Sequence, residues 1–292
     1  MFSAPDDPGT AARMRAAHAA ACDALGVLPA SPTCSGVVRE AWGWRGRTLG
    51  GSVTGTHGPA WLRVAHSTVD KVGGRLWTGP EDAERLVPDS VPRPRLRRVR
   101  QWSEQDDVYK AELYDRVMGV TPSPGPMLTC APSLPTAWWS GLREALDLLS
   151  VVRTERTAVR QAYLDRAMPK YLGFLVGDPV CTTPPAWSTA HGDLHWANLV
   201  GPDIGILDWE GWGAAPAGYD AALLHAYSLA VPETARRVRE ELAPELDCDA
   251  GRFAELVVVT ELLQSAERGD NLVLVPALKQ RATEVWRAIT GA

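Results

Sequence analysis

The sequence predicts an α+β protein, with a small antiparallel β-sheet in its first part and a larger, mainly helical second part. Residues 36–118 show strand-like alternation of apolar and polar residues, interrupted by glycine-containing turns. Residues 121–135 hold five prolines, and beyond them apolar residues recur every three or four positions, as in amphipathic helices. We therefore place an N-terminal helix and a β-rich unit in residues 1–118 and a helical unit in residues 119–292.

Local signals define the individual elements. Asp7 and Pro8 mark the start of a first helix, which we expect to run from about Gly9 to Leu25. Strands and one short helix (Gly79–Leu86) are expected in the first unit, the strands being Val37–Trp42, Arg47–Val53, Pro59–Ala65, Pro94–Trp102 and Val108–Val117. The second unit is expected to contain helices at Trp138–Val151, Thr157–Tyr171, Tyr219–Leu229, Pro232–Leu242, Gly251–Glu267 and Leu278–Ile289.

Composition narrows the classes of function. The formal net charge is -5, and the one basic run, Arg93–Arg100, alternates with apolar residues as a charged strand face does, so we expect no nucleic-acid partner. No stretch approaches the ~20 apolar residues of a membrane span, so no membrane partner is expected. Five widely spaced cysteines without CxxC spacing, and no apolar leader, indicate reduced thiols and a cytoplasmic location. Nothing indicates a protein partner.

The chemistry concentrates between His191 and Asp208. This segment predicts a loop, a short strand, a tight turn and a second short strand that ends in a carboxylate. Asp193 and Asn198 are five residues apart, the spacing at which kinases place a base and a Mg²⁺ ligand, and Asp208 follows an apolar run as the second metal-binding Asp does. Mg²⁺ prefers such oxygen ligands. The segment therefore predicts a metal-assisted phosphoryl-transfer centre.

The sequence HGDLHWANLV, followed by ILDWEGWGAAPAGYDAALL, resembles the catalytic core of the aminoglycoside phosphotransferase and choline kinase family. That family reads HGDxxxxN in the loop and D-[WFL]-[ED] at the metal strand, with DLA or DAA downstream. The resemblance covers Ala190 to Leu224. It implies a two-lobed protein-kinase-like fold, with a small antiparallel N-lobe and a larger helical C-lobe. It further implies Asp193 as catalytic base, Asn198 and Asp208 as Mg²⁺ ligands, ATP or another nucleoside triphosphate as cofactor, and a small hydroxylated molecule as substrate.

The residues expected to bind the nucleotide phosphates depart from the family pattern. The third strand normally carries a lysine on the phosphates, paired with a glutamate on the next helix, but here Arg63 occupies that position. The sequence has only four lysines, and neither Lys71 nor Lys110 lies where the pattern expects one. Arg63 either takes the phosphate role, since guanidinium binds two oxygens at once, or is an ordinary strand residue. Glu84 is the expected partner of Arg63, with Glu81 as the alternative.

The layout of the family also places the adenine against the backbone near Asp115 and Val117, at the end of the last strand of the sheet. The acceptor pocket belongs to the later helices, where the candidate acidic positions are Asp247, Asp249, Glu255, Glu261, Glu267 and Asp270. Antibiotics, amino alcohols, sugars and nucleosides have equal standing as acceptors. The alternative function is a catalytically weak or inactive pseudokinase that acts as a binding or regulatory module.

Overall fold

The protein is described from a computed structural model, which covers residues 3–31, 37–38, 40–175 and 179–291. The chain divides into two compact units. Unit 1 comprises Met1–Arg85 and Arg93–Val120, and unit 2 comprises Leu86–Pro92 and Thr121–Ala292. An antiparallel sheet dominates the first unit and helices dominate the second, which confirms the predicted fold class.

Helix α1 (Pro8–Leu25) opens unit 1, as the sequence predicts. The Asp7 carboxylate caps it by accepting from the backbone N–H groups of Gly9 and Thr10. The helix ends at Gly26, whose φ of 66° is a left-handed conformation that glycine adopts without strain. Both termini are therefore fixed by the residue types found there.

A six-stranded antiparallel sheet follows helix α1. One face of this sheet packs on α1, because Leu62 and Val64 alternate with outward-facing residues and meet Met14 in a single apolar core. The strands are β1 (Leu28–Pro29), β2 (Ala41–Trp42), β3 (Thr48–Gly55), β4 (Gly58–Thr68), β5 (Leu96–Glu104) and β6 (Asp107–Asp115). Their order in the sheet is β1–β3–β4–β6–β5, and β2 also pairs with β3. The predicted strand at Val37–Trp42 lies partly outside the described residues and is observed only as β2.

Helix α2 (Arg75–Leu86) begins four residues earlier than predicted, so that Pro80 lies inside it rather than at its start. Proline lacks an N–H donor and removes one hydrogen bond from a helix interior. Contacts of the first turn offset this loss, because Trp77 Nε1 donates to Gln101 Oε1 at 3.0 Å and the Trp77 carbonyl accepts from Lys110 Nζ. Tertiary contacts thus override the local proline signal.

Unit 2 is mainly helical and follows the predicted periodicity closely. Helix α8 (Asp249–Ala266) is buried over most of its length. The helices are α3 (Thr136–Ser150), α4 (Gln161–Tyr171), α5 (Tyr219–Ser228), α6 (Pro232–Glu241), α7 (Ala243–Leu246), α8 (Asp249–Ala266) and α9 (Val275–Thr290). Within the described residues, no helix combines the length and apolar character that a bilayer crossing requires.

Two short antiparallel pairs lie between the helices of unit 2. Strand β7 (Trp187–Ala190) pairs with β10 (Gly213–Pro216), and β8 (Leu199–Val200) pairs with β9 (Gly205–Ile206). The second pair is the predicted hairpin. The first pair was not predicted, because its strands lie 22 residues apart and each has only four residues.

Candidate active site

A buried carboxylate holds the loop that follows β7. Asp220, in the first turn of α5, accepts the backbone N–H of His191 at 2.6 Å and that of Gly192 at 3.0 Å. Burial raises the pKa of Asp220 to about 6, although these two hydrogen bonds act in the opposite direction. Asp220 therefore holds this loop through two hydrogen bonds to its backbone.

Asp193 is the exposed group of this loop, with 52% of its side chain accessible. Its Oδ2 lies 3.5 Å from His195 Nε2 and accepts a hydrogen bond of 3.3 Å from Asn198 Nδ2. Desolvation would raise the pKa of Asp193, but the hydrogen bond and charge of His195, together with Asn198, outweigh it and leave the pKa below its ordinary value. Asp193 is therefore an ionised carboxylate with a fixed orientation at neutral pH.

The hairpin β8–β9 brings the next two candidates into register. The Leu207 N–H donates to the Asn198 carbonyl at 2.8 Å, so Asn198 lies opposite Leu207 and Asp208 comes next in the chain. The Leu207 carbonyl faces His191 Nε2 at 2.9 Å. The backbone of Leu207 thus connects the loop of Asp193 to the strand that ends at Asp208.

Asp208 has an unusual backbone conformation. Its φ is 62°, in the left-handed region that only a few non-glycine residues occupy, among which Asp and Asn are enriched. Such conformations cost free energy and cluster at functional sites, where the surrounding structure holds them. The next residue, Trp209, helps to hold this one, because its Nε1 donates to the Ile206 carbonyl at 2.8 Å and its ring packs edge-on against His191.

The donor set suits a hard cation. Asp208 is an exposed carboxylate, and Asn198 uses its amide nitrogen within the loop, which leaves its amide oxygen as the atom that would bind a cation. Within the described residues, no group of three His, Cys, Asp or Glu side chains is placed to hold a metal.

Buried aromatic side chains stabilise the loop that carries Asp193. Trp196 is fully buried, stacks on Trp138 with ring centroids 6.2 Å apart, and donates through Nε1 to Ser228 Oγ at 3.0 Å. Trp209 and Trp212 are also buried. These three tryptophans therefore belong to the buried core.

One contributor to the site was missed in the sequence. Arg156 lies in the segment before α4 and donates to the carbonyl oxygens of Glu210 and Trp212, both at 3.1 Å. Its guanidinium thereby fixes the backbone just after Asp208. No local pattern connects residues 156 and 210, so only the tertiary structure reveals this contact.

In unit 1, Arg63 pairs with a different glutamate from the one expected. Its Nη1 donates to Glu112 Oε2 at 2.8 Å, across the β4–β6 register. Glu84 instead accepts from Arg93 at 2.6 Å and from Arg95 at 2.8 Å. The predicted pairing of Arg63 with Glu84 is therefore wrong, because two nearer arginines engage the helix glutamate while the neighbouring strand supplies Glu112.

The segment expected to bind adenine forms hydrogen bonds and an ion pair with the neighbouring strand region. The Asp115 N–H donates to the Arg95 carbonyl at 2.9 Å, and its side chain is ion-paired with Arg97. That N–H group is therefore used within the sheet and is not available to hydrogen-bond adenine. Val117, two residues beyond the end of β6, remains a predicted backbone contact.

The comparisons with known proteins support the fold. No family model and no curated protein matches the chain. Among solved structures, a thermostable mutant of the aminoglycoside phosphotransferase APH(4)-Ia, in a ternary complex with AMP-PNP and hygromycin B, aligns over 95% of this chain and 99% of that chain, with a TM-score of 0.61 and 14% identity.

A second mutant of APH(4)-Ia, bound to ADP and hygromycin B, aligns over 92% of this chain and 97% of that chain, with a TM-score of 0.59 and 13% identity. The crystal structure of APH(4)-Ia itself gives a TM-score of 0.57 at 14% identity, over 92% and 98% of the two chains. This chain therefore has the aminoglycoside phosphotransferase fold, as the resemblance of its sequence implies.

Proposed function

We propose that this chain, which has the fold of the aminoglycoside phosphotransferases, is an ATP- and Mg²⁺-dependent phosphotransferase that moves the γ-phosphate to a hydroxyl group of a small molecule. One observation carries the proposal. A single loop and hairpin present the carboxylate of Asp193, the amide of Asn198 and the carboxylate of Asp208, with Asp208 in a left-handed conformation. Phosphoryl transfer needs positioning and charge stabilisation from oxygen groups of this kind.

Asp193 acts as the catalytic base. Contacts from His195 and Asn198 both reach its Oδ2, which leaves Oδ1 to accept the proton of the acceptor hydroxyl. Its lowered pKa keeps the carboxylate ionised at neutral pH, so it orients the hydroxyl at all times and takes the proton as the new O–P bond forms.

Asn198 and Asp208 are the residues that would hold Mg²⁺. When bound there, the ion would neutralise charge on the nucleotide phosphates. The protein contributes the placement of its ligands. The amide of Asn198 is oriented by its donation to the Asp193 carbonyl at 2.9 Å. Arg156 holds the backbone after Asp208 through the Glu210 carbonyl, and the Trp209 indole holds the backbone before Asp208 through the Ile206 carbonyl.

The acceptor is a small hydroxylated molecule such as an aminoglycoside-like antibiotic, an amino alcohol, a sugar or a nucleoside. The structure reduces the number of acidic positions that can contact it. Glu255 is buried and ion-paired with Arg239 and Arg281, and Asp247 is ion-paired with Arg239. These carboxylates already have cationic partners, so we expect the acceptor to contact other residues of the helical unit.

A two-stage experiment tests the function. Thermal shifts with ATP are measured with and without Mg²⁺, and a library of hydroxylated metabolites and antibiotics is then screened for acceptor-dependent ATP consumption. We expect stabilisation that requires Mg²⁺, and turnover with at least one class of acceptor. Stabilisation without turnover on any class would favour the pseudokinase, and the absence of both would contradict nucleotide chemistry altogether.

A further inference from the structure

Helix α5 contacts the loop of Asp193 at two points. Asp220, in its first turn, accepts from the loop backbone, and Tyr227, near its end, packs against the side chain of His195. Positions 220 and 227 are nearly two helical turns apart, so their side chains project from the same face of α5. One face of one helix therefore holds the loop both through its backbone and through a side chain.

The His195 imidazole lies between Tyr227 and the proposed base. Its Nε2 is 3.5 Å from Asp193 Oδ2 and 3.4 Å from Asn198 Nδ2. Its ring meets the Tyr227 ring edge-on, with the centroids 5.8 Å apart and the ring planes at 86°. Edge-to-face pairs of this kind are favourable at centroid separations of about 4.5–7 Å. His195 is therefore restrained by polar contacts at Nε2 and by an aromatic contact with Tyr227.

The second ring nitrogen of His195 does not help to fix the ring. Within the part of the chain that the structure describes, Nδ1 is buried and has no hydrogen-bond partner. A hydrogen atom on Nδ1 would be a buried donor without an acceptor, so the hydrogen belongs on Nε2, which faces the Asp193 carboxylate. A hydrogen bond to the second nitrogen commonly sets which nitrogen of a histidine carries the hydrogen. Because His195 lacks that bond, its contact with Tyr227 has to restrain the ring.

Tyr227 is well placed to give this support. The residue is 8% exposed, and its backbone carbonyl accepts from the Leu128 N–H at 3.4 Å. Burial raises the pKa of the Tyr227 hydroxyl, and the nearby Asp193 carboxylate raises it further. The side chain is therefore uncharged at neutral pH, and its position in the core is fixed by packing.

We propose that Tyr227 is a positioning residue for phosphoryl transfer, whose ring holds the His195 imidazole with Nε2 at Asp193 Oδ2 and so keeps Asp193 Oδ1 directed at the acceptor hydroxyl. This inference rests on the proposed function and deepens it. The side chain of Asp193 is half exposed, and its hydrogen bond from Asn198 is long, at 3.3 Å. Without the contact from His195 the carboxylate can rotate, and the alignment that the transfer step needs is lost.

The first measurement does not depend on any reaction. Nitrogen-15 NMR of the full chain, labelled in its histidines, shows which nitrogen of His195 carries the hydrogen, and His195→Gln assigns the signal. We expect the Nε2–H form in the wild type and in Tyr227→Phe, which keeps the ring. Tyr227→Leu removes the ring and should give a mixture of the two forms. A Tyr227→Leu protein whose His195 signal matches the wild type overturns the inference.

Tyr109→Leu is the matched control for this measurement. It removes another buried tyrosine ring that packs against a histidine, since the Tyr109 and His66 centroids are 5.3 Å apart in unit 1. This variant should leave the signal of His195 unchanged. An equal change of that signal in Tyr109→Leu and Tyr227→Leu would show a general effect of lost packing and would also overturn the inference.

The second measurement is turnover, followed as Mg²⁺-dependent ATP consumption with the best acceptor of the screen or with water as the acceptor. We expect Tyr227→Leu and His195→Leu to lower kcat by about 3- to 10-fold with the KM for ATP unchanged, the factor that an aromatic contact of this kind supplies. Tyr227→Phe should retain the wild-type kcat. His195→Gln, which keeps a donor near the Nε2 position, should recover most of the kcat lost in His195→Leu.

The double variant Tyr227→Leu/His195→Leu separates positioning from general destabilisation. Because Tyr227 acts through His195, the double variant should be no slower than His195→Leu alone. Losses that multiply would overturn the inference, as would a Tyr227→Leu protein with wild-type kcat. If Tyr227→Leu does not fold, Tyr227→Met fills the same space with a flexible side chain and allows the same comparisons. A wild-type protein that consumes no ATP contradicts the proposed function together with the inference, whereas the other adverse results contradict the inference alone.

Discussion

The Asp220 carboxylate accepts the backbone N–H of His191 at 2.6 Å, and through this contact the first turn of α5 holds the loop that carries Asp193. Its other oxygen accepts the Gly192 N–H, so both oxygens are used. Asn at position 220 keeps one acceptor and presents an NH₂ group to the second N–H. One buried donor then loses its partner.

We therefore expect Asp220→Asn to lower the unfolding free energy by about 1–3 kcal/mol, the cost of an unsatisfied buried donor. Turnover should fall more than nucleotide affinity, because the loop of Asp193 loses its anchor. Denaturant unfolding and steady-state kinetics on the same preparation measure the two effects. Unchanged stability would show that the loop is held by other contacts.

Removal of the proposed base is the most direct test of the chemistry. Asp193→Ala should reduce kcat by at least about 10²- to 10⁴-fold, the typical contribution of a general base, with little change in ATP affinity. Asp203→Ala is the matched control, because Asp203 is an exposed aspartate in the turn of the same hairpin. The assignment of the base fails if Asp193→Ala retains turnover comparable to that of the control.

Two substitutions at Asp208 separate the effect of its charge from the effect of its strained backbone. Asn tolerates a positive φ nearly as well as Asp, so Asp208→Asn should preserve stability while it weakens the Mg²⁺-dependent part of ATP stabilisation. Asp208→Ala should show the same loss of Mg²⁺ dependence and an additional destabilisation of about 1 kcal/mol, because alanine is strained at this φ. Thermal shifts with ATP, with and without Mg²⁺, distinguish the two variants. An Asn variant with wild-type Mg²⁺ dependence would remove Asp208 from the metal site.

The lowered pKa of Glu255 makes the stability of the folded protein depend on pH in the acid range. Burial alone would raise its pKa, but hydrogen bonds from His225 and Arg281, with the arginine charge, lower it from 4.5 to about 2. The folded protein thus binds fewer protons than the unfolded chain. This contribution, about 3 kcal/mol, is complete above pH 4.5 and is lost as the pH falls toward 2.

Denaturant titrations between pH 7 and pH 2.5 measure this dependence. Glu255→Gln should flatten the acid limb and lower stability at pH 7, since Arg239 and Arg281 lose their buried partner. Glu284→Gln is the control, because Glu284 is a half-exposed partner of the same Arg281 and should change stability by less than about 1 kcal/mol. Equal behaviour of the two variants would contradict the role of Glu255.

The elements predicted best are those with strong local signals. Helix α1 has a capping aspartate and a terminal glycine, and both act as the sequence indicates. The segment from His191 to Asp208 predicted two short strands joined by a tight turn, and the observed pairing of β8 with β9 confirms that hairpin. Local sequence encodes these features because the interacting groups lie within a few residues of one another.

The contacts that sequence reasoning missed are long-range ones. Arg63 and Glu112 are 49 residues apart, and the helix glutamate expected in place of Glu112 is engaged by Arg93 and Arg95. An arginine-rich sequence offers many pairings for each carboxylate, and only the strand register selects among them. Likewise, Pro80 signals a helix start, but packing of the preceding turn extends α2 back to Arg75.

The two backbone contacts of Leu207 determine where the hairpin tolerates changes in chain length. Its N–H donates to the Asn198 carbonyl and its C=O faces His191 Nε2. The distance between the loop of Asp193 and the carboxylate of Asp208 is therefore set by these contacts and not by the length of the turn. In the turn between the two strands, Pro202 and Asp203 are exposed, whereas Gly201 is buried and Ile204 lies close to Gly141 of α3. We therefore expect short insertions between Pro202 and Asp203 to leave the reactive groups in place, which makes this position suitable for a reporter tag or a permuted terminus.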